Sequence, residues 1–97
     1  MKVELSELLR IKSLVFLANN DREAAIDCLN EAIEVARSQS ALAWELRSVI
    51  ELARLLSVAG QRDQVRHDLA LVYDRFTEGF ETKDLKLARA LLQHLQP

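Results

Sequence analysis

Punctuation is scarce in this chain. Its 97 residues include two glycines and one proline, which leaves little turn chemistry for hairpins or a many-stranded sheet. A single cysteine excludes an internal disulfide framework and suits a reducing compartment. Neither sign of charge prevails: 13 Lys and Arg stand against 15 Asp and Glu, a net charge of -2. That balance gives no electrostatic footprint for nucleic acid or an anionic membrane. Long hydrophobic runs are missing too. The longest one near the start covers residues 14–18, far short of the roughly 20 needed to span a bilayer. Glu4, Glu7, Arg10 and Lys12 interrupt the stretch that a signal peptide would need unbroken, and neither end carries a lipidation motif. What is present is 49% apolar and 29% charged residues, the mixture of an ordinary globular chain. Leu, Ala, Glu and Arg, all good helix formers, dominate it. The expectation is a cytoplasmic, all-α domain.

Apolar spacing divides the chain into five helices. Residues 3–18 carry Val3, Leu5, Leu8, Leu9, Ile11 and Leu14 through Ala18 at intervals of three and four. Asn19, Asn20 and Asp21 then supply a left-handed stop and an N-cap. A second helix aligns Ala25, Ile26, Leu29, Ala32, Ile33 and Ala36 in one stripe. Ser38, Gln39 and Ser40 break it, with a serine available as the next N-cap. The third helix, residues 41–59, carries Trp44, Val49, Leu52, Ala53, Leu55 and Leu56 and stops at Gly60. The fourth spans residues 62–76, with Val65, Leu69, Val72, Tyr73 and Phe76 at helical spacing. After a loop around Gly79, Thr82 caps a fifth helix running to Leu95. Connections this short force neighbouring helices antiparallel, so the fold reads as a run of helical hairpins.

The first hairpin maps onto the second at a shift of 40 residues. Leu9, Ser13, Phe16, Asn20, Ala25, Leu29 and Ala32 fall on Val49, Ala53, Leu56, Gly60, Val65, Leu69 and Val72. A small residue at 13 and 53 lets the next helix approach closely. Asn20 and Gly60 are the two residue types most tolerant of a left-handed turn. This divides the chain into repeat 1 (about 3–38), repeat 2 (about 41–76) and a capping helix (about 82–95).

Those residues carry a resemblance to the tetratricopeptide repeat, whose pattern sets a small residue, an aromatic, then Ala, Phe and Ala slots. Ser13, Phe16, Ala25 and Ala32 fill it in the first hairpin. The second keeps Ala53 but has Leu56, Val65 and Val72, and Arg37 and Thr77 stand where a proline often closes each unit. A longer stretch, A-L-A-W-E-L-R-S-V-I-E-L-A-R-L-L from Ala41, with Y-D-R-F-T-E-G-F from Tyr73 and Asp84-Leu85, is similar to another segment. It looks like the last helical repeats of bacterial multidomain regulators that carry a nucleotide-cyclase or transcription-regulator module and a predicted NTPase module. The resemblance implies a TPR-like α-solenoid that mediates protein–protein or interdomain contacts without catalysis. It further implies a concave surface lined by the first helix of each hairpin: Glu7, Arg10, Leu14 and Leu17, then Arg47, Ile50, Arg54 and Ser57. Mixed arginine and aliphatic side chains suit an acidic or amphipathic peptide.

No catalytic constellation emerges from the remaining residues, so neither an enzyme, a cofactor nor a metal is expected. Cys28 reads as a small buried hydrophobe, with no histidine at helical reach. His67 and His94 have no cysteine or second histidine near them, and zinc needs several ligands together. The pairs Glu31 with Glu34 and Glu4 with Glu7 face outward on the helical wheel, as a solvated surface does. Arg62, Arg66, His67 and Arg75 form one basic cluster, interleaved with Asp63, Asp68 and Asp74. A helix-turn-helix-like nucleic-acid binder is therefore a weak reading, behind a protein-binding or a homo-oligomerisation module, and a small enzyme is weaker still. Trp44, Tyr73, Phe76 and Phe80 read as packing anchors.

The first helix has more apolar surface than one neighbour covers. At about 100° per residue its apolar positions fill roughly half the wheel. The fifth helix is polar on its outer side at Lys83, Lys86, Arg89, Gln93 and Gln96. The N-terminal face is thus expected to dock onto an upstream domain of a longer protein, a partner protein, or a second copy as a homodimer. Neither nucleic acid nor membrane is among the expected partners.

Overall fold

The computed structural model describes residues 3–58 and 60–95. Five helices make up the fold, and no strand occurs among the described residues: α1 (Val3–Ala18), α2 (Arg22–Ser38), α3 (Leu42–Val58), α4 (Arg62–Tyr73) and α5 (Lys83–Leu95). Their starts recur at intervals of 20 residues from Arg22 to Leu42 to Arg62, and the turns between them share one geometry. Asn20, Ser40 and Gly60 each take a left-handed backbone, with φ of 63°, 55° and 87°. In each turn the next residue's N–H reaches back to a carbonyl inside the preceding helix: Asp21 to Phe16, Ala41 to Ala36 and Gln61 to Leu56. Asn20, Ser40 and Gly60 themselves bond three residues back, to Leu17, Arg37 and Ser57, so each turn satisfies two carbonyls that the helix end leaves open.

Ser40 therefore terminates α2 rather than capping α3. Its left-handed backbone places it in the turn that closes α2, and Ala41, whose carbonyl accepts from the Glu45 N–H at 3.0 Å, takes the capping position. Asp21 does cap α2, its carboxylate accepting from the Ala24 N–H at 3.2 Å. Thr82 Oγ1 accepts from the Leu85 N–H at 3.4 Å. The helix expected to reach Phe76 ends at Tyr73, because Arg75 and Phe76 bond three residues back, to Val72 and Tyr73, in a tightened turn. Gln96 of the expected polar cap and the Glu4 side chain lie outside the described residues.

Packing orders the helices in two layers. α1, α3 and α5 touch in series, while α2 lies against α1 and α3, and α4 against α3 and α5. Only α3 meets all four others. The molecule measures 34 × 31 × 20 Å, and its least dimension is that of two stacked helices. Positions equivalent at the 40-residue shift share an environment. Ser13 and Ala53, Ala25 and Val65, Leu29 and Leu69, and Ala32 and Val72 are buried pairwise, while Phe16 and Leu56 are both half-buried. The arginines opening α2 and α4 also act alike. Arg22 donates to the Leu55 carbonyl near the end of α3, and Arg62 to the His94 carbonyl near the end of α5, at 2.9 Å. A guanidinium at a helix C-terminus meets both the open carbonyls and the negative end of the helix dipole.

Candidate functional site

The first layer presents its charged residues along the seams between α1, α3 and α5. Glu7 and Arg47 are equivalent at the 40-residue shift, and they meet: Arg47 Nη1 lies 3.3 Å from Glu7 Oε1. On its other side Arg47 Nε donates to Asp84 Oδ2 at 2.9 Å. One side chain from each helix of the layer thus forms a ladder. Arg10 extends it, gripping Glu7 with two bonds of 3.0 and 2.6 Å and lying 3.9 Å from Glu51. The Arg10 hydrogen bonds, reinforced by the Arg10 and Arg47 charges, hold the Glu7 carboxyl below its ordinary range despite partial desolvation. Arg47 also covers the Trp44 ring at 5.3 Å, a cation–π contact that steadies its guanidinium. Glu7, read from the wheel as a solvated carboxylate, is instead half-buried and paired, because α3 brings Arg47 across to it.

Below the ladder an open cavity of about 310 Å³ is lined by Arg10, Arg47, Ile50, Glu51, Arg54, Lys83, Asp84 and Leu87. Four of the eight residues expected on the concave surface, Arg10, Arg47, Ile50 and Arg54, come together here. Ile50 is only 4% exposed, so it belongs to the core and offers the cavity a floor. Glu7 supports the wall through Arg10. Leu14 is exposed, Leu17 and Ser57 are half-buried, and none of these three lines the cavity. Lys83, Asp84 and Leu87 were not foreseen as part of it. Their spacing on α5 puts them on one side of that helix, but only the docking of α5 on α3 says which side.

The cations of the cavity are unequally engaged. Arg10 and Arg47 are each tied to carboxylates. Arg54 has a single loose contact to Glu51, at 3.9 Å, and Lys83 has no carboxylate partner among the described residues. These two are the groups best able to receive an incoming anion.

On the opposite side of α3 lies a different charge cluster. Glu45 is 1% exposed, yet it meets two arginines: Arg37 Nε donates to it at 2.9 Å and Arg75 Nη1 to both its oxygens at 3.0 Å. It ties α2 and the turn after α4 to α3. Beside it a second cavity, of about 340 Å³, opens between α2 and α4 over Val49 and Leu52. The expected basic cluster on α4 is dispersed by these contacts. Arg75 turns to Glu45, Arg62 to the His94 carbonyl and Arg66 to Asp63, leaving no shared basic surface among them.

Cys28 is half-buried and free. His67 and His94 are exposed. Among the described residues no group of His, Cys, Asp and Glu is arranged to hold a metal ion, and no helix is long and apolar enough to cross a membrane. Tyr73 and Phe80 pack with ring centroids 5.8 Å apart, tying the loop before α5 to the end of α4.

α1 keeps the apolar surface expected of it. Leu5, Leu8, Ile11, Leu14 and Val15 are all exposed, Leu8 by 62%. No family model, curated protein or solved structure matches the chain.

Proposed function

We propose that the chain is a non-catalytic, TPR-like helical-repeat module that binds a protein or peptide partner in the groove where α1, α3 and α5 meet. The observation that carries this reading is the open cavity there, with Arg54, only loosely paired to Glu51, and Lys83 at its rim and Ile50 and Leu87 at its floor. A guanidinium and an ammonium over an aliphatic floor fit an acidic peptide with interspersed apolar side chains. The cations take its carboxylates and the floor takes its aliphatic groups. The paired environments of the two hairpins, and the resemblance to the terminal repeats of bacterial multidomain regulators, support an interdomain or signalling role for such contacts.

The test is calorimetric titration with an acidic amphipathic peptide, comparing the chain with its Arg54→Glu/Lys83→Glu variant. Arg47 is a poorer target, since Arg47→Glu would set three carboxylates together and break the ladder. The double variant should weaken binding by about a hundredfold, since each reversal replaces an attraction with a repulsion. Equal affinity for the two proteins would remove the groove as the binding site.

A further inference from the structure

The groove leaves the exposed side of α1 unused. Leu8, Ile11, Val15 and Ala18 follow one another at intervals of three, four and three residues, the spacing of a coiled-coil seam. All four are exposed, so the seam lies open along the helix. Lys12, the charged residue beside its middle, is drawn off over the Phe16 ring of the same helix, 5.8 Å from the centroid.

We propose that this seam is a self-association surface, on which the α1 helices of two copies pair antiparallel about a two-fold axis. The order of side-chain sizes is the first argument. An antiparallel copy places Leu8 against the second copy's Ala18 and Ile11 against its Val15, so each of the two large side chains meets a smaller one. A parallel copy would set Leu8 on Leu8 and Ala18 on Ala18, crowding one end and leaving the other loose. Antiparallel alignment also places each helix N-terminus beside the opposite helix's C-terminus, where their dipoles attract.

The other end of the molecule supplies the second argument. Among the described residues α5 exposes Lys86, Arg89 and Gln93, so its outer side meets a head-to-tail stack with charged and amide groups rather than a matching apolar seam. An isologous contact, in which the same patch serves both copies, needs none. A net charge of -2 sets little repulsion against the approach of a copy.

The area places the strength. The exposed apolar side chains of α1 offer roughly 400 Å² per copy, the size of the largest apolar patch on a typical monomer, which is often functional. Doubled, this falls short of the roughly 1,600 Å² of a standard interface. The dimer is therefore a weak one, forming and dissociating with concentration.

Sedimentation equilibrium of the full chain, from micromolar to millimolar, tests the pairing. A reversible monomer–dimer equilibrium is expected. Leu8→Glu/Val15→Glu should raise its dissociation constant by at least about a hundredfold, with the far-ultraviolet circular dichroism unchanged, because both residues are exposed in the monomer. Orientation is read in a Cys28→Ala background by oxidising Ile11→Cys and Val15→Cys variants separately and mixed. Preferential cross-linking in the mixture supports the antiparallel pair, whereas efficient cross-linking of each alone overturns it. A monomer at every concentration, or a dimer indifferent to the two glutamates, overturns the surface itself. No groove residue is altered, so the outcome is independent of peptide binding.

Discussion

The carboxylates on the two sides of α3 do opposite kinds of work. Glu45 is buried and held between Arg37 and Arg75, which come from α2 and the turn after α4. On the other side, Asp84 and Glu7 of the flanking helices meet Arg47 in a ladder whose side chains keep substantial contact with water. A charge inside the protein must be matched by its partners because no solvent is left to match it, whereas a half-exposed pair exchanges one good environment for another. Glu45 therefore sets how α2, α3 and α4 register. The ladder aligns the first layer at small energetic consequence and leaves its surface adaptable, which suits the layer that carries the groove.

The strongest way to break this contrast is to remove the arginines and keep the glutamate. Arg37→Ala/Arg75→Ala leaves a buried carboxylate without a cation, and the expected loss is about 3 kcal/mol of unfolding free energy. Urea denaturation measures it. Glu45→Gln in the same background should recover most of the loss, since the charge and its desolvation penalty vanish together. A double arginine variant as stable as the parent would show that Glu45 does not rely on them.

Glu7 gives the weaker counterpart. Glu7→Gln removes the grip on Arg10 and the contact with Arg47, and about 1 kcal/mol or less is expected at neutral pH, falling with added salt. The pH dependence has a definite sign. Because the folded protein holds the Glu7 carboxyl below its ordinary value of 4.5, its contribution is complete above that value. It disappears as pH falls through the lower, folded-state value. Arg10 and Arg47, pushed further toward their charged forms, do not titrate in this window. Denaturation of parent and variant across an acid series should show a gap that is full at neutral pH and closes in acid. A gap of constant size would detach the stability of the ladder from this carboxylate.

The helices were legible in the sequence, and the contacts among charged residues were not. Periodicity depends on which residues each helix turns inward, so Ala25, Leu29, Ala32 and Ala36 of α2 announced their burial. The turns at Asn20 and Gly60 were equally plain, because few residues take positive φ without strain. Ser40 escaped notice, since serine reads first as an N-cap. Glu45 escaped for a deeper reason. Its burial depends on Arg37 and Arg75, eight and thirty residues away, and no local pattern signals that three helices will converge on one carboxylate. The groove was half legible for the same reason. Arg10, Arg47 and Arg54 follow from their positions on α1 and α3, while Lys83, Asp84 and Leu87 join only through the docking of α5.

The finest version of the comparison sets two buried serines against each other. Ser6 on α1 donates its hydroxyl to the Ala32 carbonyl of α2 at 2.9 Å, deep in the first hairpin. Ser48 on α3 is as well buried, but its Oγ has no hydrogen-bond partner among the described residues. An unpaired buried hydroxyl gives up water and receives nothing in return, whereas a paired one replaces water with a carbonyl. The same substitution should then act with opposite signs. Ser6→Ala deletes a bond between helices and lowers stability by about 1 kcal/mol. Ser48→Ala removes a desolvated group, adds the best helix former, and raises stability by about 0.5 kcal/mol. Thermal or urea midpoints of the two variants decide it. If both fall together, Ser48 has a partner after all, and the asymmetry between the hairpins lies in their packing rather than in their polar groups.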